Sequence, residues 1–339
     1  MKILNRVFFL VVVLVFIIAQ LSFAAGQKEE TGKKFLLYSA LLEYPQSRLL
    51  AAFEEETGIK GEYIRMSTGE LLARVLAEKK TPRGDIIIGV SSESIDMIQE
   101  EGVVLPYLSP AREGIQSKFY NDEGYWYGFA MGALAIGVNT KRWESKYGEK
   151  PYPKTWEDLL DPAFEGEVIV ASPLHSGTAY TFTATILQGM GEEKGWEYIR
   201  ELDKNVAHYT TSGAAPARSV AAGEFTLAIT FGYDQVQIAR GGYPLKIIYP
   251  PKTGPEIMAM AIIKDGPNTE TAKKFIDWML GTNAQQLYTD LTSQGPVRPG
   301  ILLPADATSV EKLDLVDYNL KWAAENKERI IKEWAKQVQ

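Results

Sequence analysis

Short apolar runs alternate with amphipathic stretches along the first third of the chain. Phe35-Leu36-Leu37-Tyr38-Ser39-Ala40, Gly61 to Met66 and Asp85 to Val90 are too short for helices and rich in branched or aromatic residues, which predicts three strands. Leu49, Leu50, Ala52 and Phe53 recur at helical spacing between the first two. They predict a helix from about Pro45 to Thr57, stopped by Gly58. Ser67 with Glu70 three residues on is a capping-box pattern, and it opens a second helix that Pro82 and Gly84 break. Strand–helix–strand–helix–strand in this order predicts an α/β fold with parallel strands and crossover helices.

A tyrosine- and glycine-rich stretch, Tyr125-Trp126-Tyr127-Gly128, precedes a further strand over Ala133 to Asn139. Pro151, Pro153 and Pro162 mark a surface connection into a second region. There the pattern predicts strands at Val168 to Val170, Phe225 to Thr230 and Ile257 to Ile263. It predicts helices at Gly177 to Gly189 and about Trp196 to Leu202. Three more helical patterns follow: Thr269 to Leu280, Ala284 to Thr292, and about Asp314 to Val338. No fixed-period repeat is present.

One segment stands apart. Lys2 and Arg6 precede thirteen unbroken apolar residues, Val7 to Ala19. A bilayer-spanning helix needs ~17–25 such residues, so the run is short for an anchor. It fits the apolar region of a secretory signal, and Ser22-Phe23-Ala24 supplies small residues for cleavage after Ala24. Residues 1–24 are therefore expected to be a signal peptide, followed by a polar flexible leader over 25–34, with the mature protein in the periplasm. Removing the signal takes away two bases and no acid, which makes an already acidic chain (net charge −7) more so.

The 339 residues suggest two domains, and 45% hydrophobic content supports a sizeable core. The absence of cysteine excludes disulfides, thiolate metal sites and a lipid-modified N-terminus. Acidity argues against a nucleic-acid partner, and with two histidines a Ser-His-Asp centre is disfavoured. No nucleophile elbow, phosphate loop or His-Glu-x-x-His pair occurs. The sequence therefore reads as a non-enzyme, with a secreted phosphoesterase as the different-class alternative.

The positive signal is a set of small hydroxyl residues and glycines at strand ends and helix starts. These are Ser39 after Tyr38, Ser67-Thr68-Gly69, Ser91-Ser92, Ser176-Gly177-Thr178 and Ser212-Gly213. Helix N-termini carry unpaired N–H groups and positive potential, hydroxyls add donors, and glycine admits a ligand to the backbone. In open α/β sheets such positions lie at the ligand-binding edge. A second constellation, Phe231-Gly232-Tyr233-Asp234 with Glu256, can accept hydrogen bonds from hydroxyl or amino groups or ligate a hard metal.

Several motifs together resemble bacterial periplasmic solute-binding proteins of ABC importers. They are Tyr38-Ser39-Ala40, Thr57-Gly58-Ile59, Ser67 to Arg74, Ser176 to Tyr180, Pro216-Ala217-Arg218, Val220 to Glu224 and Ala272 to Trp278. The resemblance is to the branch that holds ferric-iron, hexose-phosphate, aminoethylphosphonate and thiamine binders. It implies a type II-like two-lobe fold, with mixed sheets flanked by helices and two crossing hinge strands. Residues 35–132 plus 264–339 would form lobe 1 and 133–263 lobe 2, the crossing strands being Ala133–Asn139 and Ile257–Ile263. It also implies a monomer that passes a small anionic solute to a membrane permease, without a cofactor. The ligand-binding residues carried over are Ser39, Thr68, Gly69, Ser91, Ser92, Ser176, Gly177, Thr178, Ser212, Tyr233, Asp234 and Glu256. Iron binders of this branch present two consecutive tyrosines where this chain has only Tyr233. A phosphorylated or phosphonate solute is therefore the expected ligand, with ferric iron on Tyr233, Asp234 and Glu256 as the alternative.

Overall fold

A computed structural model describes residues 34–305 and 307–338. The expected signal peptide and all of the expected leader except Lys34 lie outside the described residues; Lys34 opens the first strand. Among the described residues no helix is long and apolar enough to cross a membrane.

The first α/β unit follows the sequence pattern closely. Strands β1 (Lys34–Ser39), β2 (Lys60–Arg65) and β3 (Ile86–Ser91) lie parallel in the order β2-β1-β3. Helix α1 (Glu43–Thr57) ends on Gly58 in the left-handed region at φ 71°, and α2 (Thr68–Ala77) starts on the capping box. The Ser67 side chain accepts from the Glu70 N–H while the Glu70 carboxylate accepts from the Ser67 N–H at 2.9 Å. Helix α3 (Ser92–Gln99) springs directly from β3.

The largest departure from the sequence pattern is the fourth long strand. Helix-free chain from Tyr127 to Asn139 forms β5, thirteen residues buried at every position, after a two-residue β4 (Val104–Leu105). Its first half was legible only as a glycine- and aromatic-rich stretch. A strand covered on both faces does not alternate apolar with polar, so period-2 reasoning starts it six residues late. Residues Tyr127 to Ala133 pair antiparallel with β10 (Pro255–Ile263), while Leu134 to Val138 pair antiparallel with β8 (Leu227–Phe231). The chain thus passes from one sheet to the other between Ala133 and Leu134. β10 pairs with β3 as well, which places it in the first sheet and not in the second lobe where the resemblance assigned residues up to 263.

The second sheet adds β6 (Val168–Ala171) between β8 and β7 (Val206–Thr210), with β9 (Leu245–Ile248) on the far half of β5. Helices α4 (Thr140–Tyr147), α5 (Gly177–Met190), α6 (Glu192–Asp203), α7 (Ala215–Ala222) and α8 (Gly232–Arg240) surround it. Helices α9 (Thr269–Met279) and α10 (Thr282–Thr292) return to the first lobe, where Phe275 joins Phe35 and Phe53 in a ring cluster with centroids 5.1–5.4 Å apart. Backbone bonds tie the crossing region together: Leu134 donates to Gly254, Thr253 to Asp314, and Val316 to Thr253.

The last helix, α11 (Leu320–Val338), does not stay with lobe 1 as expected. Its Ala323, Ile330 and Trp334 pack into the second core beside Trp156, Tyr180 and Ile199. The segment from Asp314 to Val316, paired with Thr253, is thus a third passage between the lobes. Its helical stripe was legible, but which lobe the stripe would meet depended on where this passage exits. Trp334 is 4% exposed and meets Tyr209 edge-on with centroids 4.9 Å apart. Truncating a core tryptophan costs about 3–5 kcal/mol. Trp334→Ala should lower the urea unfolding free energy by that amount, and a loss below ~1 kcal/mol would show that α11 is not docked as described.

Candidate functional site

A cleft lies between the two sheets, and the ends of elements from both sides line it. From the first lobe come Ala40, Leu41 and Leu42 after β1, Arg65 to Thr68 between β2 and α2, and Glu256 and Met258 of β10. The first lobe also supplies Tyr288, Thr292 and Gln294 around the end of α10. From the second come Ser176-Gly177-Thr178 at the start of α5, Ser212-Gly213-Ala214 ahead of α7, and Tyr233, Asp234 and Gln237 of α8.

Of the residues expected at a binding site, Thr68, Ser176, Gly177, Thr178, Ser212, Tyr233, Asp234 and Glu256 line this cleft. Ser39 does not: it is fully buried, its hydroxyl donating to the Gln46 side chain and accepting from the Leu41 N–H at 3.1 Å. Ser91 and Ser92 are also buried away from the lining, and the Ser91 hydroxyl pairs with that of Ser94 at 2.9 Å. These three serines sit at strand ends, as the sequence implied. Their side chains turn inward, those of Ser39 and Ser91 to local partners, which strand position alone does not reveal. Gly69 does not line the cleft either; its N–H donates to the His175 carbonyl of the second lobe at 3.3 Å. A methyl group at Gly69 would stand 3.1 Å from that oxygen, so a close approach of the lobes needs the glycine.

The donors converge tightly. A methyl at Gly177 would lie 2.9 Å from the Thr68 hydroxyl oxygen. One at Gly213 would lie 2.2 Å from that of Thr178 and 2.8 Å from that of Ser176. Thr68, Gly177, Thr178, Ser176 and Gly213 therefore form one continuous cradle contributed by both lobes. Ser176 caps α5 by accepting from the Ala179 N–H at 3.3 Å, and the first main-chain helical bond runs from Tyr180 to Ser176. Gly177 and Thr178 line the cleft, and their N–H groups precede that bond, at the positive end of the helix dipole. Arg65 adds a fixed positive charge, its Nε held by the Leu41 carbonyl at 3.1 Å. Sequence reasoning missed Arg65, although a base between a strand end and a capped helix was a usable signal. Tyr288, Thr292, Gln294 and Gln237 carried no such signal.

Similarity to known proteins accords with this geometry. The profile of bacterial extracellular solute-binding proteins matches residues 82–323. An uncharacterised protein of Haemophilus influenzae is 34% identical over 296 residues, 85% of either chain. Iron uptake protein A1 of Synechocystis is 26% identical over 315 residues, 85% of this chain and 84% of that one. Among solved structures, the periplasmic binding protein AfuA of Actinobacillus pleuropneumoniae, with exogenous fructose-6-phosphate bound, is 30% identical. It superposes with a TM-score of 0.86 over 90% of this chain and 98% of its own.

Opposite the cradle the cleft is acidic, its acids buried. The Tyr233 hydroxyl donates to Glu256 Oε2 at 2.8 Å, and its ring stacks on Phe231 with centroids 5.3 Å apart. Burial drives the Glu256 carboxyl well above its ordinary range; the Tyr233 hydrogen bond opposes this, and the charges of Glu93 and Asp234 add to it. Burial likewise raises Tyr233, reinforced by Glu256 and Asp234. Asp234 is raised by burial from 3.8 to about 7, against the pull of Arg218 and Arg65. Among the described residues no group of three or more acidic or imidazole side chains is arranged to hold a metal ion.

The raised Asp234 has a definite consequence for stability. The folded state keeps a proton that the unfolded chain releases above pH 3.8, so solute-free protein loses stability as pH rises from about 4 towards 7. Above that window Asp234 is ionised in both states and its contribution ends, while the raised Glu256 acts in the same direction. Asp234→Asn should make this decline shallower in urea melts taken between pH 4.5 and 7.5; an unchanged slope would remove Asp234 as a source of it.

Proposed function

The chain belongs to the bacterial extracellular solute-binding proteins, and on that premise we propose that it captures a small organic solute bearing a phosphoryl or phosphonate group. The solute would then pass to the membrane permease of an ABC importer. The observation that carries this reading is the two-lobe cradle of Thr68, Ser176, Gly177, Thr178 and Gly213, with Arg65 beside it. Hydroxyls, helix N-terminal amides and a guanidinium are the donor set suited to a desolvated dianion, and charge-assisted bonds to it are the strong ones. The buried acids at the other end supply acceptors for the hydroxyls or amine of the organic part. The likeness to a structure with fructose-6-phosphate bound supports the same solute class.

In this reading no covalent chemistry occurs. The signal over residues 1–24, cleaved after Ala24, exports the chain to the periplasm. There it acts as a monomer whose lobes close on the solute, the general behaviour of periplasmic binding proteins. Because the cradle draws on both lobes, solute bridges them, and its binding free energy favours the closed arrangement.

Thr68→Ala and Thr178→Ala each remove one hydroxyl from the cradle and should weaken binding by about 1–3 kcal/mol. Titration calorimetry with fructose 6-phosphate, 2-aminoethylphosphonate and inorganic phosphate checks this. Unchanged affinity in both variants for whichever of these binds the parent protein would overturn the assignment.

Ferric iron is the second reading. Tyr233, Asp234 and Glu256 meet in the cleft as oxygen donors, and an iron uptake protein is among the relatives. Tyrosinate-bound iron is coloured. Iron-loaded protein should then absorb in the visible and lose that band in Tyr233→Phe, whereas a colourless protein that binds a phosphate ester excludes this reading.

A further inference from the structure

Away from the cleft, a second buried polar cluster joins α3 of the first lobe, α5 of the second and the C-terminal helix α11. Lys327 on α11 is 7% exposed, and Glu93 in the first turn of α3 is 1% exposed. The Lys327 ammonium donates to the Ser94 hydroxyl of α3 at 3.1 Å and sits 5.1 Å from the centroid of the Tyr180 ring on α5. Glu93 accepts from the Thr181 hydroxyl of α5 at 3.4 Å. None of these residues lines the binding cleft. The Ser92 hydroxyl beside them and the Tyr318 hydroxyl ahead of α11 are buried without a hydrogen-bond partner.

Two features distinguish this cluster from ordinary core polarity. Its members come from both lobes, so any relative motion of α3 and α5 must stretch or break it. And α11 is anchored by apolar side chains to the second lobe, while its one buried cation reaches into the first. Burial lowers the Lys327 pKa to about 8 and Glu93 opposes the fall, so the lysine is charged at neutral pH. Burial raises Glu93, and the Lys327 charge opposes that rise in turn. A buried charge tolerates its surroundings only while its partner stays in place.

We propose that Lys327 and Glu93 form a latch across the junction of α3, α5 and α11 that stabilises the closed arrangement of the lobes and so sets solute affinity without touching solute. They are positioning residues. The latch rests on the lobes parting and closing, and does not depend on which solute the cleft holds.

The test reads the lobes in solute-free protein. The chain contains no cysteine, so Glu55→Cys on α1 and Glu197→Cys on α6, both exposed, give a unique pair of spin labels across the lobes. Pulsed dipolar spectroscopy then measures the ratio of closed to open populations. Lys327→Met removes the buried bond to Ser94 and the one buried cation near Glu93, and should lower that ratio ~10-fold or more. Adding Glu93→Gln removes the buried acid and should restore part of the loss, so the double variant falls short of the sum of the two single effects. Thr181→Val, which keeps shape and removes one bond, should shift the ratio in the same direction by less. A closed-to-open ratio unchanged in Lys327→Met, with or without a lowered melting temperature, would overturn the latch. Strictly additive effects of Lys327→Met and Glu93→Gln would overturn it too.

Discussion

One strand holds the molecule's geometry. β5 is buried along all thirteen residues, and its two halves belong to two different sheets. Both sheets therefore take their register from a single stretch of backbone. β10 fixes the first half and β8 the second, and most residues lining the cleft lie at or near element ends placed by that seam. Closely packed neighbours leave little freedom there: a methyl at Gly137 would stand 2.3 Å from the Gln235 side chain, and one at Gly254 1.9 Å from Thr185. The lobes can pivot about such a seam, but their relative register is fixed by its hydrogen bonds.

The cleft that results is electrically divided. One wall offers amide, hydroxyl and guanidinium donors, and the other offers acids whose pKa burial raises. In bulk water the two would be screened, but between closed lobes the lower effective dielectric strengthens each of them. This division is what the proposed anionic solute with a hydroxyl- or amine-bearing end would use. The net negative charge of the chain does not oppose this, because local N–H groups and Arg65 determine the potential at the cradle. Glu93 links this wall to the junction behind it, since its charge also raises Glu256. The resting state of the cleft and that of the lobe junction are therefore not electrically independent.

The first α/β unit was readable almost residue by residue because each element carried its own local signal. Ser67 and Glu70 satisfied each other's orphan groups, Gly58 took the left-handed turn, and Ile86, Ile87 and Ile88 suited a buried strand. The first half of β5 was not readable, since a strand buried on both faces has no periodicity to detect. The serines show the same division at the level of single side chains. Ser39, Ser91 and Ser176 all sit where a strand ends or a helix begins, yet only Ser176 faces the cleft. Gln46 captures the Ser39 hydroxyl, and Ser94 that of Ser91, and which way each serine turns is decided by the packing around it.

By itself, the sequence determined the α/β class, the positions of most elements, the hydroxyl- and glycine-rich helix starts and the resemblance to solute-binding proteins. These follow from periodicity, caps and composition, which act over a few residues. Tertiary structure alone decided where the chain changes sheets and that α11 crosses to the second lobe. It also decided that Arg65 joins the cradle and that Lys327 lies buried beside Glu93 and Ser94. Each of these joins residues far apart in the chain. Their meeting depends on the register of β5 and on three passages between lobes, which no local pattern specifies.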